Sequence, residues 1–244
     1  MKDEILPRVN DYLMKIEITG NAEEIMQAIE RKAHIVIPYD LPLASEVEIK
    51  EKASTHGTLV LGPGCSTSFV DGKGFGVWNS LRRGPVGLVG TTSSGLRAIS
   101  CLLNPIGISH SLFVGARDLS QSVGGLGTLT ATRFLEEDEQ TEVIVIVGIA
   151  PPSSVERNLA DLVKTLKKPC VFCLPGSKTP SEVKKYETIE ETVRAVAGIL
   201  GKKISFMHQS RKSWREKAQN LHMGRNICGG YILGDSCAPK HSSF

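Results

Sequence analysis

The sequence predicts an α/β fold built on a parallel sheet with helices on both of its faces. Short β-branched apolar runs recur along the chain, and segments with an apolar residue every three or four positions lie between them. The run at 143–147 is apolar at every position, which a strand tolerates only when helices cover both faces of its sheet. This strand is therefore expected inside a doubly wound parallel sheet.

The individual elements follow from these apolar runs and from the helical spacing between them. The predicted strands are 34–39, 58–61, 86–90, 109–114, 143–149 and 170–174. The predicted helices are 44–55, 96–103, 129–136, 155–166 and 189–200. Strands and helices alternate, which is typical of parallel strand pairing.

Three parts are expected along the chain. Residues 84–201 contain the repeated strand and helix units of one doubly wound domain, with the turn at 82–85 as its boundary. Residues 1–83 offer only about two strands and two or three helices, too few to cover a sheet, so a partial domain is expected there. Residues 202–244 carry eight basic and two acidic residues and are expected to form a basic extension.

Composition excludes several classes of protein. The net charge of +3, from 29 basic and 26 acidic residues, is too small to require a nucleic-acid or membrane partner. No apolar run approaches the ~18 to 20 residues of a membrane span, and the charged amino end lacks a signal pattern. A cytoplasmic protein with reduced thiols is therefore expected, because the six cysteines are irregularly spaced.

The strongest chemical signal follows the predicted strand at 86–90. The chain there passes through Thr91, Thr92, Ser93, Ser94 and Gly95 directly into a helix. The free N–H groups of a first helical turn, the helix dipole and several hydroxyls can converge on a phosphate or carboxylate. The alternative is a capped helix without a ligand, because Ser and Thr are also preferred N-caps. A dinucleotide or P-loop site is disfavoured, since neither glycine-rich nucleotide motif is present.

Two further loops are expected at the same edge of the sheet. The loop after 109–114 contains Arg117, which can offer a bidentate fork to an oxyanion, unless it only pairs with Asp118 to shape the loop. The loop after 58–61 contains Cys65, which is either a nucleophile or a structural thiol. The structural thiol is favoured, because no His lies at a recognisable spacing and an ordinary thiol is protonated at neutral pH.

No metal site is predicted. Cys170 and Cys173 lie three apart in a predicted strand, so their side chains point to opposite faces. His34 and His110 lie within strand patterns and are interpreted as satisfied core or edge residues rather than catalytic bases. The remaining candidate ligands fit no ribbon or finger spacing: Cys228, Cys237, His208, His222 and His241.

Several ordered segments carry a family resemblance. Residues 61–65 read Leu-Gly-Pro-Gly-Cys, 82–90 read Arg-Arg-Gly-Pro-Val-Gly-Leu-Val-Gly, 115–120 read Gly-Ala-Arg-Asp-Leu-Ser, and 123–125 read Val-Gly-Gly. Together they resemble the FdrA family, relatives of the succinyl-CoA synthetase α subunit and of NDP-forming acyl-CoA synthetases. The likeness extends from about residue 35 to about residue 178.

The resemblance implies a fold and a chemistry. It implies a partial Rossmann-like domain of the CoA-binding type at 1–83 and a flavodoxin-like, succinyl-CoA ligase-like domain at 84–201. In the ligase relatives the serine-rich helix start holds phosphate, so residues 91–95 would bind phosphate and Arg117 would act catalytically on its developing charge. Further candidates for contact with substrate or CoA are Gly62, Pro63, Cys65, Ser66, Asp118, Gly124 and Gly125.

The chain also departs from the pattern. Gly64 stands where a carboxylate or Asn is expected, and no His follows Leu174 in the segment 175–178, which excludes a phosphohistidine relay. The glycine-rich first turn of a complete CoA-binding domain is not found before Ile35.

The resulting hypothesis is an FdrA-like subunit of a group-transfer enzyme of the carbamoyltransferase type, in purine or allantoin catabolism. It would use phosphate, or an acyl or carbamoyl phosphate, without metal, and act with a second subunit or as a homo-oligomer. One alternative is a subunit of an NDP-forming acyl-CoA synthetase that binds CoA. Another is a non-catalytic assembly or regulatory subunit.

Overall fold

The computed structural model describes residues 16–19, 21–76, 81–178 and 183–204, together with the backbone of two short strands near the carboxyl end. The chain divides into two compact units, 1–204 and 205–244. In the second unit, β11 (Ile227–Cys228) pairs antiparallel with β12 (Tyr231–Ile232).

The first unit begins with a parallel sheet of three strands in the order β1-β2-β3. The strands are β1 (Ile16–Ile18), β2 (His34–Val36) and β3 (Val60–Leu61). Helix α1 (Ala22–Glu30) connects β1 to β2, and α2 (Leu43–His56) connects β2 to β3. Apolar side chains of both helices and of β2 form one core, which includes Ile25, Ile29, Ile35, Ile37 and Ile49.

A second sheet has seven strands in the order β10-β9-β8-β6-β7-β4-β5. Its five parallel strands are β6 (Arg83–Gly90), β7 (Ile108–Phe113), β8 (Val143–Val147), β9 (Cys170–Cys173) and β10 (Lys184–Tyr186). Every residue of β8 is buried, as its uniform apolar pattern predicts.

The hairpin of β4 (Thr67–Val70) and β5 (Lys73–Gly76) completes this sheet at one edge. Strand β4 runs antiparallel to β7, with Phe69 opposite Ser111. The division of the chain at residue 83 stays a prediction, and these two strands, which precede it, pair with the sheet that follows it.

Helices cover both faces of the large sheet. They are α3 (Ser93–Leu103), α4 (Leu126–Glu137), α5 (Ser153–Thr165) and α6 (Ile189–Ile199). Leu96 of α3 packs over Gly90, whereas Leu135 of α4 packs over Gly87. Positions 87 and 90 of β6 point to opposite faces, so α3 and α4 lie on opposite sides of the sheet. The expected doubly wound α/β fold is confirmed.

Candidate functional site

The loops singled out by sequence meet at the carboxyl edge of the large sheet. Backbone hydrogen bonds join the ends of the strands there: Thr91 N–H donates to Val147 O at 3.0 Å, and Val114 N–H donates to Gly90 O at 3.0 Å. Gly62 N–H, after β3, donates to the last residue of β7 at 2.8 Å. The loops at 62–66, 91–92 and 114–125 are thereby brought to one edge.

Helix α3 begins at this edge with free donors. Thr92 is its N-cap residue, in extended conformation with φ −124° and ψ 119°, and its side chain makes no capping hydrogen bond. The first intrahelical bond runs from Leu96 N–H to Thr92 O at 3.0 Å. The N–H groups of residues 93–95 precede that bond, and no acidic residue lies in this first turn.

Two other helices, α1 and α6, meet this need with their own side chains, whereas α2 and α5 lack a side-chain cap but carry an acidic residue in their first turn. Asn21 accepts a hydrogen bond from Glu23 N–H at the start of α1, which also carries Glu23 and Glu24. Thr188 and Glu191 form a reciprocal capping box at the start of α6. An anion at the start of α3 therefore has no competing carboxylate in that turn, unlike one at α1 or α6.

Two side chains shape the start of α3. A Cβ atom on Gly95 would overlap Thr92 Oγ1, so glycine lets this hydroxyl lie over the first turn. Ser66 Oγ lies 3.4 Å from Ser93 Oγ, which brings an exposed hydroxyl from the loop after β3 to the same place. Hydroxyls from two chain segments thus lie at the start of α3.

Arg117 lies in the loop after β7 but is held toward α2. Its Nε donates to Glu46 Oε2 at 2.9 Å and its Nη2 donates to Leu41 O at 2.6 Å. The alternative Arg117–Asp118 pair does not form in the structure, because each residue has another ionic partner. The Arg117 side chain is 42% exposed, and its action on an oxyanion stays a prediction.

Asp118 is fully buried and acts as the cap of α4. Its Oδ1 accepts from Gly127 N–H at 2.8 Å, and its Oδ2 accepts from the N–H and hydroxyl of Thr128. Lys50 of α2 donates to the same Oδ1 at 2.8 Å. The glycine-rich turn with Gly124 and Gly125 therefore leads into a helix start whose donors already bind a carboxylate of the protein.

The Cys65 thiol is buried and lies 3.2 Å from Ser68 Oγ. Burial raises the pKa of this thiol, so the nucleophilic thiolate is disfavoured. Burial likewise raises the pKa values of Cys170 and Cys173, both of which are free thiols in β9. The structure thus favours the structural interpretation of all three.

No group of three potential metal ligands occurs among the described residues. The tail candidates, Cys228, Cys237, His208, His222 and His241, lie outside the residues whose side chains are described. His34 and His110 are buried, as expected for core residues. His110 Nε2 contacts Asp138 Oδ2 at 3.3 Å, and His34 Nδ1 accepts from Leu59 N–H.

Sequence reasoning missed one cleft, which lies at the carboxyl ends of β1 and β2. Its volume is about 570 Å³, and it is lined by Ile18, Thr19, Asn21, Glu24, Pro38 and Tyr39. Ile18 and Tyr39 are largely exposed, and Glu24 accepts a hydrogen bond from the Thr19 hydroxyl at 2.6 Å. The unusual exposure of two large apolar side chains is a signal that only the structure supplies.

Comparison with known proteins gives relatives in both sequence and structure. No protein-family model matches the chain. The chain is 31% identical over 179 residues to the uncharacterized protein YahF of Escherichia coli (strain K12), which covers 72% of this chain and 35% of YahF. It is 26% identical over 163 residues to subunit alpha 1 of the ADP-forming succinate–CoA ligase of Archaeoglobus fulgidus, covering 65% of this chain and 55% of that subunit.

A solved structure shares the fold. ATP citrate lyase from Methanothrix soehngenii, in complex with citrate and coenzyme A, superposes with a TM-score of 0.57 at 14% identity, covering 88% of this chain and 45% of the lyase. The chain spans about a third of YahF and about half of the ligase subunit. None of its described helices has the length and apolar character that crossing a bilayer requires. The chain is thus similar in sequence to succinate–CoA ligase alpha subunits and shares its fold with part of an ATP citrate lyase, whereas FdrA membership stays a prediction.

Proposed function

We propose that this chain is the phosphate-binding part of an acyl-CoA-ligase-type enzyme. The site is the start of α3, where Thr91, Thr92, Ser93, Ser94 and Gly95 would hold inorganic phosphate or a transferring phosphoryl group. One observation carries the proposal: this first turn has neither a side-chain cap nor an acidic residue, and it lies where three loops meet. Prearranged N–H groups and hydroxyls would stabilise oxyanion charge without a covalent side chain.

The comparisons favour this reading over carbamoyl transfer. Two relatives are alpha subunits of succinate–CoA ligases, and their names supply no support for carbamoyl chemistry. An alpha subunit acts with another subunit, so we propose a partner chain that completes the reaction. The non-catalytic alternative would leave phosphate binding without any turnover in the assembled complex.

CoA ligases use CoA, and the cleft at the carboxyl ends of β1 and β2 is the candidate place for it in this chain. CoA carries several phosphate groups, which proteins neutralise with cations or with free helix N–H groups. Among the described residues, the cleft lining contains no Lys or Arg and has one carboxylate, Glu24. Asn21 already binds the N–H of Glu23 at the adjoining helix start. These residues do not fit the phosphates of CoA, so no step through CoA is assigned to this chain.

The proposal is tested by calorimetric titration of the intact chain with inorganic phosphate. Ser93→Asp places a carboxylate at the first residue of α3, where it competes for the same N–H groups while still favouring the helix. We expect binding to weaken at least about tenfold, which corresponds to about 1.4 kcal/mol.

The matched control is Ser153→Asp, because Ser153 is the first residue of α5 and is exposed. This variant adds the same charge at an equivalent helix position and should leave phosphate affinity unchanged. Equal affinity of the wild type and Ser93→Asp would overturn the proposed site.

A further inference from the structure

A buried ion network joins α2 to the loop after β7. Lys50 Nζ donates to Glu46 Oε1 at 2.8 Å, to Asp118 Oδ1 at 2.8 Å and to Val114 O at 2.7 Å. An ammonium group has three protons, and these acceptors use all of them. The side chains of Lys50 and Glu46 are 1% exposed and that of Asp118 is 0% exposed.

The network is balanced in charge. Two carboxylates, Glu46 and Asp118, face two cations, Lys50 and Arg117, since Arg117 Nε pairs with the second oxygen of Glu46. Buried ions are tolerated only when they are paired and hydrogen-bonded. Lys50 bridges the two carboxylates, so its loss would leave two like charges close together without a cation between them.

A chain of contacts leads from Lys50 to the start of α3. Asp118 is followed by Leu119, which is buried. A Cβ atom on Gly148 would lie 3.0 Å from Leu119 Cδ1 and 2.7 Å from Thr91 Oγ1, so both side chains adjoin the same glycine. A shift of the loop that carries Asp118 would therefore move the packing beneath Thr91.

From this geometry we infer that Lys50 is a positioning residue for the oxyanion site at α3, an inference that rests on the proposed function. Lys50 fixes Asp118, which caps α4 and sets the place of Leu119 beside Thr91 and Gly148. Lys50 lies on α2, and its three hydrogen bonds do not reach α3. It therefore acts on the phosphate affinity of the α3 site through Asp118 and Leu119.

The test compares phosphate affinity in two lysine variants of the same helix. Lys50→Met with Glu46→Gln removes one cation and one carboxylate, so the net charge of the network is unchanged. The single variant Glu46→Gln, which releases Arg117 in the same way, is its matched control. At a temperature well below the thermal unfolding midpoint, we expect the affinity for phosphate to fall about fivefold or more. The NMR signals of the Thr91 and Gly148 amides should shift as well. Lys52→Met, which breaks an exposed pair with Glu30, should change neither the phosphate affinity nor these amide signals.

The single variant Lys50→Arg provides a second measurement, should the double variant not fold, because its guanidinium keeps a cation between Glu46 and Asp118 while it changes the geometry of the hydrogen bonds. Its affinity should lie between those of the wild type and the double variant. Unchanged phosphate affinity and unchanged Thr91 and Gly148 signals in folded Lys50 variants would overturn the inference alone. Absence of phosphate binding by the wild type would instead overturn the proposed function.

Discussion

Ser66 Oγ lies 3.4 Å from Ser93 Oγ, although the two residues are 27 positions apart in the chain. Ser66 belongs to the loop after β3, at the carboxyl edge of the small sheet, and Ser93 opens α3 on the large sheet. The contact brings the edges of both sheets to one helix start, where free N–H groups are exposed to a ligand.

Replacing Gly95 by Ala should weaken phosphate binding. The added Cβ would overlap Thr92 Oγ1 and lie 3.1 Å from Val147 Cγ1, so the Thr92 hydroxyl must move. The matched control is Gly198→Ala in α6, where a Cβ meets open space. That control should raise the free energy of unfolding by about 0.5–1 kcal/mol and leave phosphate affinity unchanged. Calorimetric titration measures the phosphate affinity of both variants, and urea unfolding measures their stability. Undiminished phosphate affinity in Gly95→Ala would contradict the predicted role of Gly95.

Asp118→Asn should be strongly destabilising. The change removes a fully buried charge that pairs with Lys50 and accepts from the first turn of α4. Loss of one partner of a buried pair lowers the free energy of unfolding by about 3–5 kcal/mol. The control Asp161→Asn breaks an exposed pair with Lys164 and should change stability by less than about 1 kcal/mol. Similar urea midpoints for the two variants would show that the buried network does not stabilise the fold.

Ser111→Ala should stabilise the protein or leave its stability unchanged. Ser111 is fully buried in β7, and its hydroxyl has no hydrogen-bond partner among the described residues. Ser109, in the same strand, bonds Thr141 Oγ1 at 2.7 Å, so Ser109→Ala should lower the free energy of unfolding by about 1 kcal/mol. Thermal unfolding of the two variants measures the contrast, and a destabilised Ser111→Ala would refute it.

Stability should fall on acidification because of His34. Burial lowers the pKa of His34 from 6.5 to about 4, so the folded protein keeps this ring neutral where the unfolded chain protonates it. Its contribution is fully present above pH 6.5 and is lost as the pH falls toward 4, by up to about 3 kcal/mol.

The variant His34→Gln isolates this effect, because it cannot titrate while its amide oxygen can still accept from Leu59 N–H. Urea unfolding of both proteins between pH 7 and pH 4 should show a steeper loss of stability in the wild type. Parallel curves for the two proteins would mean that His34 titrates normally in the fold.

Sequence patterns predicted the parallel core because its signal is local. The uniform apolar run of β8 and the alternating helices identify the centre of the large sheet, and the run from β6 into α3 identifies the helix start. The β4–β5 hairpin was missed because β5, Lys73–Gly76, contains two glycines, which are uncommon in strands. Its exposed edge position tolerates them.

The partners of the charged residues could not be predicted from spacing. Arg117 pairs with Glu46 and Asp118 pairs with Lys50, at separations of 71 and 68 positions. Such contacts depend on how α2 packs on the large sheet, which no local pattern encodes. Adjacency in the sequence suggested an Arg117–Asp118 pair, but the two side chains have different partners.

The central claim, that the start of α3 binds an oxyanion, is tested most directly by a crystal structure of the protein grown with phosphate. The account predicts phosphate oxygens about 2.7–3.2 Å from the backbone nitrogens of Ser94 and Gly95, with the Ser93 and Ser66 hydroxyls alongside. Phosphate bound elsewhere, with only water at this helix start, would contradict it.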